Sequence, residues 1–196
     1  MKTVEIIGYK RANLGKSESR RLRGEGMAPA VLYGGKEQIH FAVPMQLFRD
    51  LVYTPDAHLV DLNIEGKEFK AILQDIQFHP VSEVILHADF LLLFDDKPVK
   101  MDIPVKYVGT SPGVQLGGKL VPSLRTVKVK ALPKHLPDTI ELDINELELG
   151  KSVRVRDIKP IEGVEVLNNP AISVASVEIP RALRGKQAGE EEEAES

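Results

Sequence analysis

Ala28-Pro29-Ala30-Val31-Leu32-Tyr33-Gly34-Gly35-Lys36-Glu37-Gln38-Ile39-His40-Phe41-Ala42-Val43 holds two runs of β-forming residues on either side of a glycine pair. Ala28 to Tyr33 and Gln38 to Val43 read as strands joined at Gly34-Gly35. Tyr33-Gly34-Gly35-Lys36 has neither Walker nor dinucleotide-binding spacing, so it reads as a turn and not as a phosphate loop. On the N-terminal side, Val4 and Ile6 alternate with Thr3, Glu5 and Ile7, another strand pattern. On the C-terminal side, Val60 to Ile64 and Lys67 to Phe78 flank Glu65-Gly66, a hairpin turn. Between these lies a helix from Pro44 to Val52, with Pro44 at its first position and Leu47, Phe48, Leu51 and Val52 at helical spacing.

The second half repeats the β character with more punctuation. After the apolar run Phe90-Leu91-Leu92-Leu93-Phe94, the polar Asp95-Asp96-Lys97-Pro98 marks a domain boundary. Beyond it, Val99 to Val108, Val121 to Leu132, Thr139 to Ile144, Ser152 to Ile158 and Ala171 to Ile179 read as strands. Prolines at 98, 104, 112, 122, 133, 137, 160, 170 and 180 sit badly in central strands, so short, interrupted strands are expected. The expected organisation is a mainly β chain with one domain over 1–95, a second all-β domain over 96–181 and an acidic flexible tail over 182–196.

The chain has 196 residues, no cysteine and a formal net charge of -3. Without cysteine there is no disulfide framework and no thiolate metal site, which fits a reducing cytosol. The first residues alternate like a strand and lack the apolar core of a signal peptide. No run approaches the ~18 apolar residues of a membrane span. The net charge hides its own distribution. Lys10, Arg11, Lys16, Arg20, Arg21 and Arg23 stand against Glu18 alone, while Glu190 to Glu193 and Glu195 gather at the other end.

Within the basic segment, Asn13 to Gly24 reads as a short helix, with Asn13 or Ser17 as N-cap and Gly24 as a left-handed stop. Lys16, Ser19, Arg20 and Arg23 then share one face. Three cations and a hydroxyl suit an RNA backbone: guanidinium forks bind phosphate oxygens, and serine donates to a phosphate or a ribose hydroxyl. A solvated basic face is the bland alternative. A second polar group lies in Gln74-Asp75-Ile76-Gln77-Phe78-His79-Pro80 and Leu86-His87-Ala88-Asp89-Phe90. By strand alternation His87 and Asp89 face opposite to Leu86, Ala88 and Phe90, and Asp75, Gln77 and His79 opposite to Ile72, Gln74, Ile76 and Phe78. His-x-Asp with His40, His58 or His79 has the ligand content of a facial-triad iron site, but chance produces the same pattern in strands, and a hydrogen-bonding surface is the preferred reading. No nucleophile motif or acid–base carboxylate pair stands out, so no enzyme and no cofactor are expected.

These same residues resemble a known family. Gly15-Lys16, Ser19-Arg20-Arg21-Leu22-Arg23 and Pro29-Ala30-Val31-Leu32-Tyr33-Gly34-Gly35, with Gln74-Asp75-x-Gln77-x-His79-Pro80 and His87-x-Asp89-Phe90, resemble the bacterial 5S-rRNA-binding proteins of the large ribosomal subunit. Val108 to Val114 and Leu132 to Pro137 resemble its two-domain form, called Ctc or general stress protein. The resemblance implies an N-terminal β-barrel related to the anticodon-binding barrel of glutaminyl-tRNA synthetase, with short helices, and a second all-β domain. It implies a cytoplasmic, ribosome-bound structural protein with 5S rRNA and subunit neighbours as partners, and neither a membrane nor a small-molecule substrate. Its RNA contacts carry over to Lys16, Ser19, Arg20, Arg23, Tyr33, Gln74, Gln77, His87, Asp89 and Phe90. Alternation supports Gln77, His87 and Asp89 but turns Gln74 and Phe90 away, unless a bulge or strand end intervenes. The alternative is a stress-related RNA-binding protein or RNA chaperone that meets ribosomes transiently.

Overall fold

A computed structural model of the chain describes residues 1–180. The acidic tail expected over 182–196 lies outside the described residues. By its contacts the chain divides into two units, Met1–Met101 with Ala131–Asp138, and Asp102–Lys130 with the chain from 139 on. This division crosses the chain three times, at 101/102, 130/131 and 138/139, where the sequence reading expects a single cut at 95/96. Residues 95–98 form only the turn before an unbroken strand that starts at Val99, and Ala131 and Leu136 are buried in a segment that joins the first unit.

The first unit is a closed barrel of β1 (Lys2–Lys10), β2 (Met27–Tyr33), β3 (Ile39–Pro44), β4 (His58–Ile64), β5 (Lys67–Phe78) and β6 (Ile85–Leu92), in the order β1-β3-β2-β6-β5-β4. The opening hairpin pairs as its sequence predicts, from Met27 opposite Pro44 to Leu32 opposite Ile39. Glu65 (φ 50°) and Gly66 (φ 84°) make the β4–β5 turn, two consecutive positive angles that match the twist of the strands. Alternation fills the interior with Ile6, Ala30, Leu32, Phe41, Val60 and Phe90, all at most 2% exposed. Closure depends on two parallel pairings, β1 with β4 and β2 with β6.

Two helices were expected in this unit. α1 spans Lys16–Gly24 and follows Gly15, with no side-chain cap from Asn13 or Ser17. The left-handed residue is Gly26 (φ 78°), two beyond the expected Gly24. Pro44 does not start a helix: at ψ 129° it ends β3. A 3-10 turn over Met45–Phe48 and α2 (Arg49–Val52) follow it and carry Phe48 into the barrel core.

The second unit is built on short strands: β7 (Val99–Val108), β8 (Lys119–Pro122), β9 (Thr126–Ala131), β10 (Ile140–Asp143), β11 (Ser152–Arg154), β12 (Val164–Val166) and β13 (Ser173–Glu178), with α3 (Pro112–Gln115) after β7. They form two sheets, β10-β7-β9-β12 and β11-β13-β8. Val121 to Leu132 is not one strand; it breaks at 123–125, and its two parts join different sheets. Ser152 to Ile158 shrinks to three strand residues, because the Asp157 carboxylate accepts the Arg154 N–H at 2.8 Å and closes a 3-10 turn. β12 and α3 carried no sequence signal strong enough to be expected. Pro104 is tolerated inside β7 because the ladder to β10 begins only at Val105. Leu142, Val155 and Val174 form one core cluster of the unit with Val105, Leu124 and Val166, and Ile144, Leu147 and Val177 form another.

Candidate nucleic-acid interface

Two surfaces of the barrel meet at the candidate site. The first is α1. Leu22 is buried and fixes the helix by its apolar side, against β2. At 3.6 residues per turn, Ser19, Arg23, Lys16 and Arg20 then occupy an arc of roughly 100° on one flank. Lys16 and Arg20 are exposed, Ser19 and Arg23 half-buried. Arg23 Nη1 donates to the Leu86 carbonyl at 3.3 Å and ties this flank to β6. The Ser19 hydroxyl donates to Gly15 O at 2.8 Å and accepts from Arg11 Nη2 at 3.1 Å. Arg11 was counted in the basic segment but not placed in the site; its buried Nε has no partner among the described residues. Only its position outside the helical pattern hid it.

Arg21 points elsewhere. Its guanidinium donates to Glu18 on one side, at 2.5 and 3.2 Å, and to Glu25 on the other, at 2.7 Å. Arg21 holds the Glu18 carboxyl below the usual range, and Glu18 together with Glu25 holds Arg21 above the ordinary arginine value. The acid inside the basic helix therefore withdraws one cation from the surface and leaves Lys16, Arg20 and Arg23 on the other flank.

The second surface is the outer face of the neighbouring strands β2, β6 and β5. Asp75 stands opposite Asp89, Gln77 opposite His87, and Val31 opposite Asp89. His87 Nδ1 lies 2.6 Å from Asp89 Oδ1, with both side chains about one-third exposed. That contact assigns a proton to Nδ1 and fixes the ring orientation. Tyr33 flanks the pair: burial, then the charges of Asp89 and Asp75, push its hydroxyl up, so it remains a donor at neutral pH.

Gln74 and Phe90, which alternation turned away, separate here. The β5–β6 register jumps from Leu73–Phe90 to Asp75–Asp89, so Gln74 is the extra residue of a β-bulge and is exposed. Before the bulge Ala71 and Leu73 point inward; after it Ile76 does. Ile72 consequently shares the outer side with Asp75, contrary to simple alternation. Phe90 is a correction. It is 0% exposed, with its ring centroid 5.8 Å from Phe41 and 6.1 Å from Phe48, so its side chain belongs to the core and not to a surface. Among the described residues no three His, Cys, Asp or Glu stand close enough to hold a metal, so the iron-triad alternative has no third ligand. No helix among them is long and apolar enough to cross a membrane.

Basic arc and polar strand face thus adjoin on one side of a barrel. Comparison with known proteins agrees with that architecture. Residues 6–90 match the Ribosomal L25p family, and residues 98–181 match the C-terminal domain of ribosomal protein TL5. A protein of Cytophaga hutchinsonii is 57% identical over 188 residues, covering 96% of this chain and 97% of its own length. The chain belongs to the L25p family. A relative in Amoebophilus asiaticus is 56% identical over 184 residues, 94% of this chain and 93% of its own, and one in Porphyromonas gingivalis is 43% identical over 187 residues, 94% and 97%. All three are named large ribosomal subunit protein bL25, which is a structural protein and not an enzyme. The two matches in succession make the two-domain form that the sequence resembles.

Proposed function

We propose that this protein is a structural component of the cytoplasmic large ribosomal subunit and binds 5S rRNA through its barrel. The observation that carries this reading is the junction of the two surfaces. Arg23 bonds to the Leu86 carbonyl, and so sets the basic flank of α1 beside His87 and Asp89. Lys16, Arg20 and Arg23 supply cations for phosphates, which position an RNA without reading it. Tyr33, Gln74, Gln77, His87 and Asp89 supply neutral donors, amide groups and acceptors, which suit ribose hydroxyls and the edges of bases in a wide, shallow RNA groove. A carboxylate repels phosphate but accepts from base amino groups, so Asp89 favours a groove floor over a backbone. The Phe90 side chain has no part in the contact. Its assignment reduces to holding β6 in place.

Titration of the full chain with 5S rRNA and with transfer RNA, at several salt concentrations, tests the reading. Binding to 5S rRNA should remain at salt concentrations where transfer RNA is released, because the neutral contacts are insensitive to counterions. Equal affinity for both RNAs across the series would reduce the site to a non-specific basic surface.

A further inference from the structure

One recess of the barrel has no part in the contacts described so far. Val52 and Tyr53, at the end of α2, meet Phe78, His79, Pro80 and Glu83 around an open notch of 440 Å3. Tyr53 is 66% exposed and Phe78 38%, although both are large and aromatic. The notch is built on a closed turn. His79 N–H donates to Val84 O at 2.9 Å, and Glu83 N–H donates to His79 O at 3.0 Å. The imidazole is fixed as well, because the backbone N–H groups of Val81 and Ser82 donate to its Nδ1 at 3.4 and 3.2 Å. Its Nε2–H is left as a donor on the opposite edge of the ring.

The lining selects a ligand class. It offers two aromatic rings, an imidazole, a proline and one carboxylate, and neither lysine nor arginine. A phosphate would find no cation there. A flat, apolar body with polar edges would find ring faces to stack on, an N–H donor from His79 and an acceptor from Glu83. An unstacked nucleobase has that form. Position supports the same occupant. Gln77 stands opposite His87 on the polar face, and Phe78 and His79 follow it directly, at about 3.3 Å per residue. Phe78 turns to the side opposite Gln77 and the register shifts between them, so the notch opens at the end of β5, beside the polar face and within a nucleotide's reach of it.

We infer that the notch receives a base splayed out of the RNA held on the polar face, stacked against Tyr53 and Phe78. This rests on the RNA-binding reading above and adds a subsite to it. Single-strand modules use the same device, and loss of one such stacking ring costs about tenfold or more in affinity.

Tyr53 is the residue to test, because it is exposed and its replacement leaves the barrel core intact. Tyr53→Trp gives the chain its only tryptophan. The full-length variant should bind 5S rRNA as tightly as the wild type, with its emission quenched on binding. Tyr53→Ala should weaken binding about tenfold, with an unchanged melting temperature and an unchanged salt slope. Unquenched tryptophan together with wild-type affinity in Tyr53→Ala overturns the inference. So does a Tyr53→Ala variant that is lost from large subunits yet binds isolated 5S rRNA normally, since the notch would then hold a protein. Arg20→Ala is the control for the parent reading. If it weakens binding and Tyr53→Ala does not, only the notch is refuted; if the wild type fails to bind 5S rRNA, both fall.

Discussion

Replacing Phe90 separates a core residue from a contact residue. Phe90 is 0% exposed and packs against Phe41 and Phe48, on a strand paired to β2 and β5. Truncation to alanine in such a place costs about 3–5 kcal/mol, against a total stability of about 5–15 kcal/mol for a domain. Phe90→Ala would therefore leave the barrel close to unfolding, and a loss of RNA binding would say nothing about contact. Phe90→Leu is the informative change. It keeps most of the volume and gives up the two ring pairs, for a cost of about 1.5 kcal/mol. For a unit of about 100 residues this lowers the melting temperature by about 6–12 °C.

Near 20 °C the leucine variant remains folded, since even about 3 kcal/mol of residual stability leaves roughly 99% of molecules native. Its affinity for 5S rRNA should equal that of the wild type within about twofold, a difference of about 0.4 kcal/mol. Urea titration followed by circular dichroism gives the stability, and filter binding at the same temperature gives the affinity. A variant that melts like the wild type but binds tenfold more weakly would place the ring against RNA, and the inward orientation of Phe90 in β6 would be wrong.

Arg20→Ala and Arg23→Ala should each weaken RNA binding and lower the slope of log affinity against log salt by about one unit, while His87→Ala and Gln77→Ala should cost ~1–3 kcal/mol at constant slope; equal slopes in all four variants would deny the division between positioning and recognition. Glu18→Gln removes a negative charge beside the basic flank while Glu25 still pairs with Arg21, so it should raise affinity modestly, and more at low salt than at high salt, checked in the same salt series. Because Arg21 holds the Glu18 carboxyl below its ordinary range, the pair persists at and above the ordinary carboxylate pKa and is lost only as pH falls through the lowered value, so wild type and Glu18→Gln should converge only in acid. Gly113→Ala would set its Cβ 2.7 Å from the backbone at Glu148 and Leu149; it should destabilise the second unit by ~1–3 kcal/mol in thermal melts and leave affinity for 5S rRNA unchanged.

Local patterns carried the barrel strands well because each obeys one rule at a time. β5 ran over Lys67–Phe78 as read, since alternation and the Glu65-Gly66 turn point to the same hairpin. Only the conflict between alternation and the family resemblance points to a bulge at Gln74, because Gln74 and Asp75 are both polar and a doubled outward residue looks like ordinary strand sequence. In the second unit the apolar phase shifts from Leu120 and Leu124 to Val127 and Val129 across the break at 123–125, a mark that the unbroken run of β-forming residues masked. Phe90 is the case where two lines of reading disagreed. Alternation put it inside the barrel, the family resemblance put it at the RNA, and burial favours the periodicity, which follows from the geometry of a strand and needs no relative.

What no local pattern holds is the meeting of distant strands. Tyr33 comes onto the same face as Asp89 because β2 and β6 pair in parallel, with Leu32 opposite Phe90 and Tyr33 opposite Leu91. Nothing in either strand announces the other, and a parallel partner requires no connecting turn to betray it. Barrel closure is what turns three separate polar patterns, in 16–23, 74–77 and 87–89, into one surface. The helix joins that surface through a single half-buried arginine bonded to a backbone carbonyl. The side chains were legible as a list, and their adjacency follows from the registers.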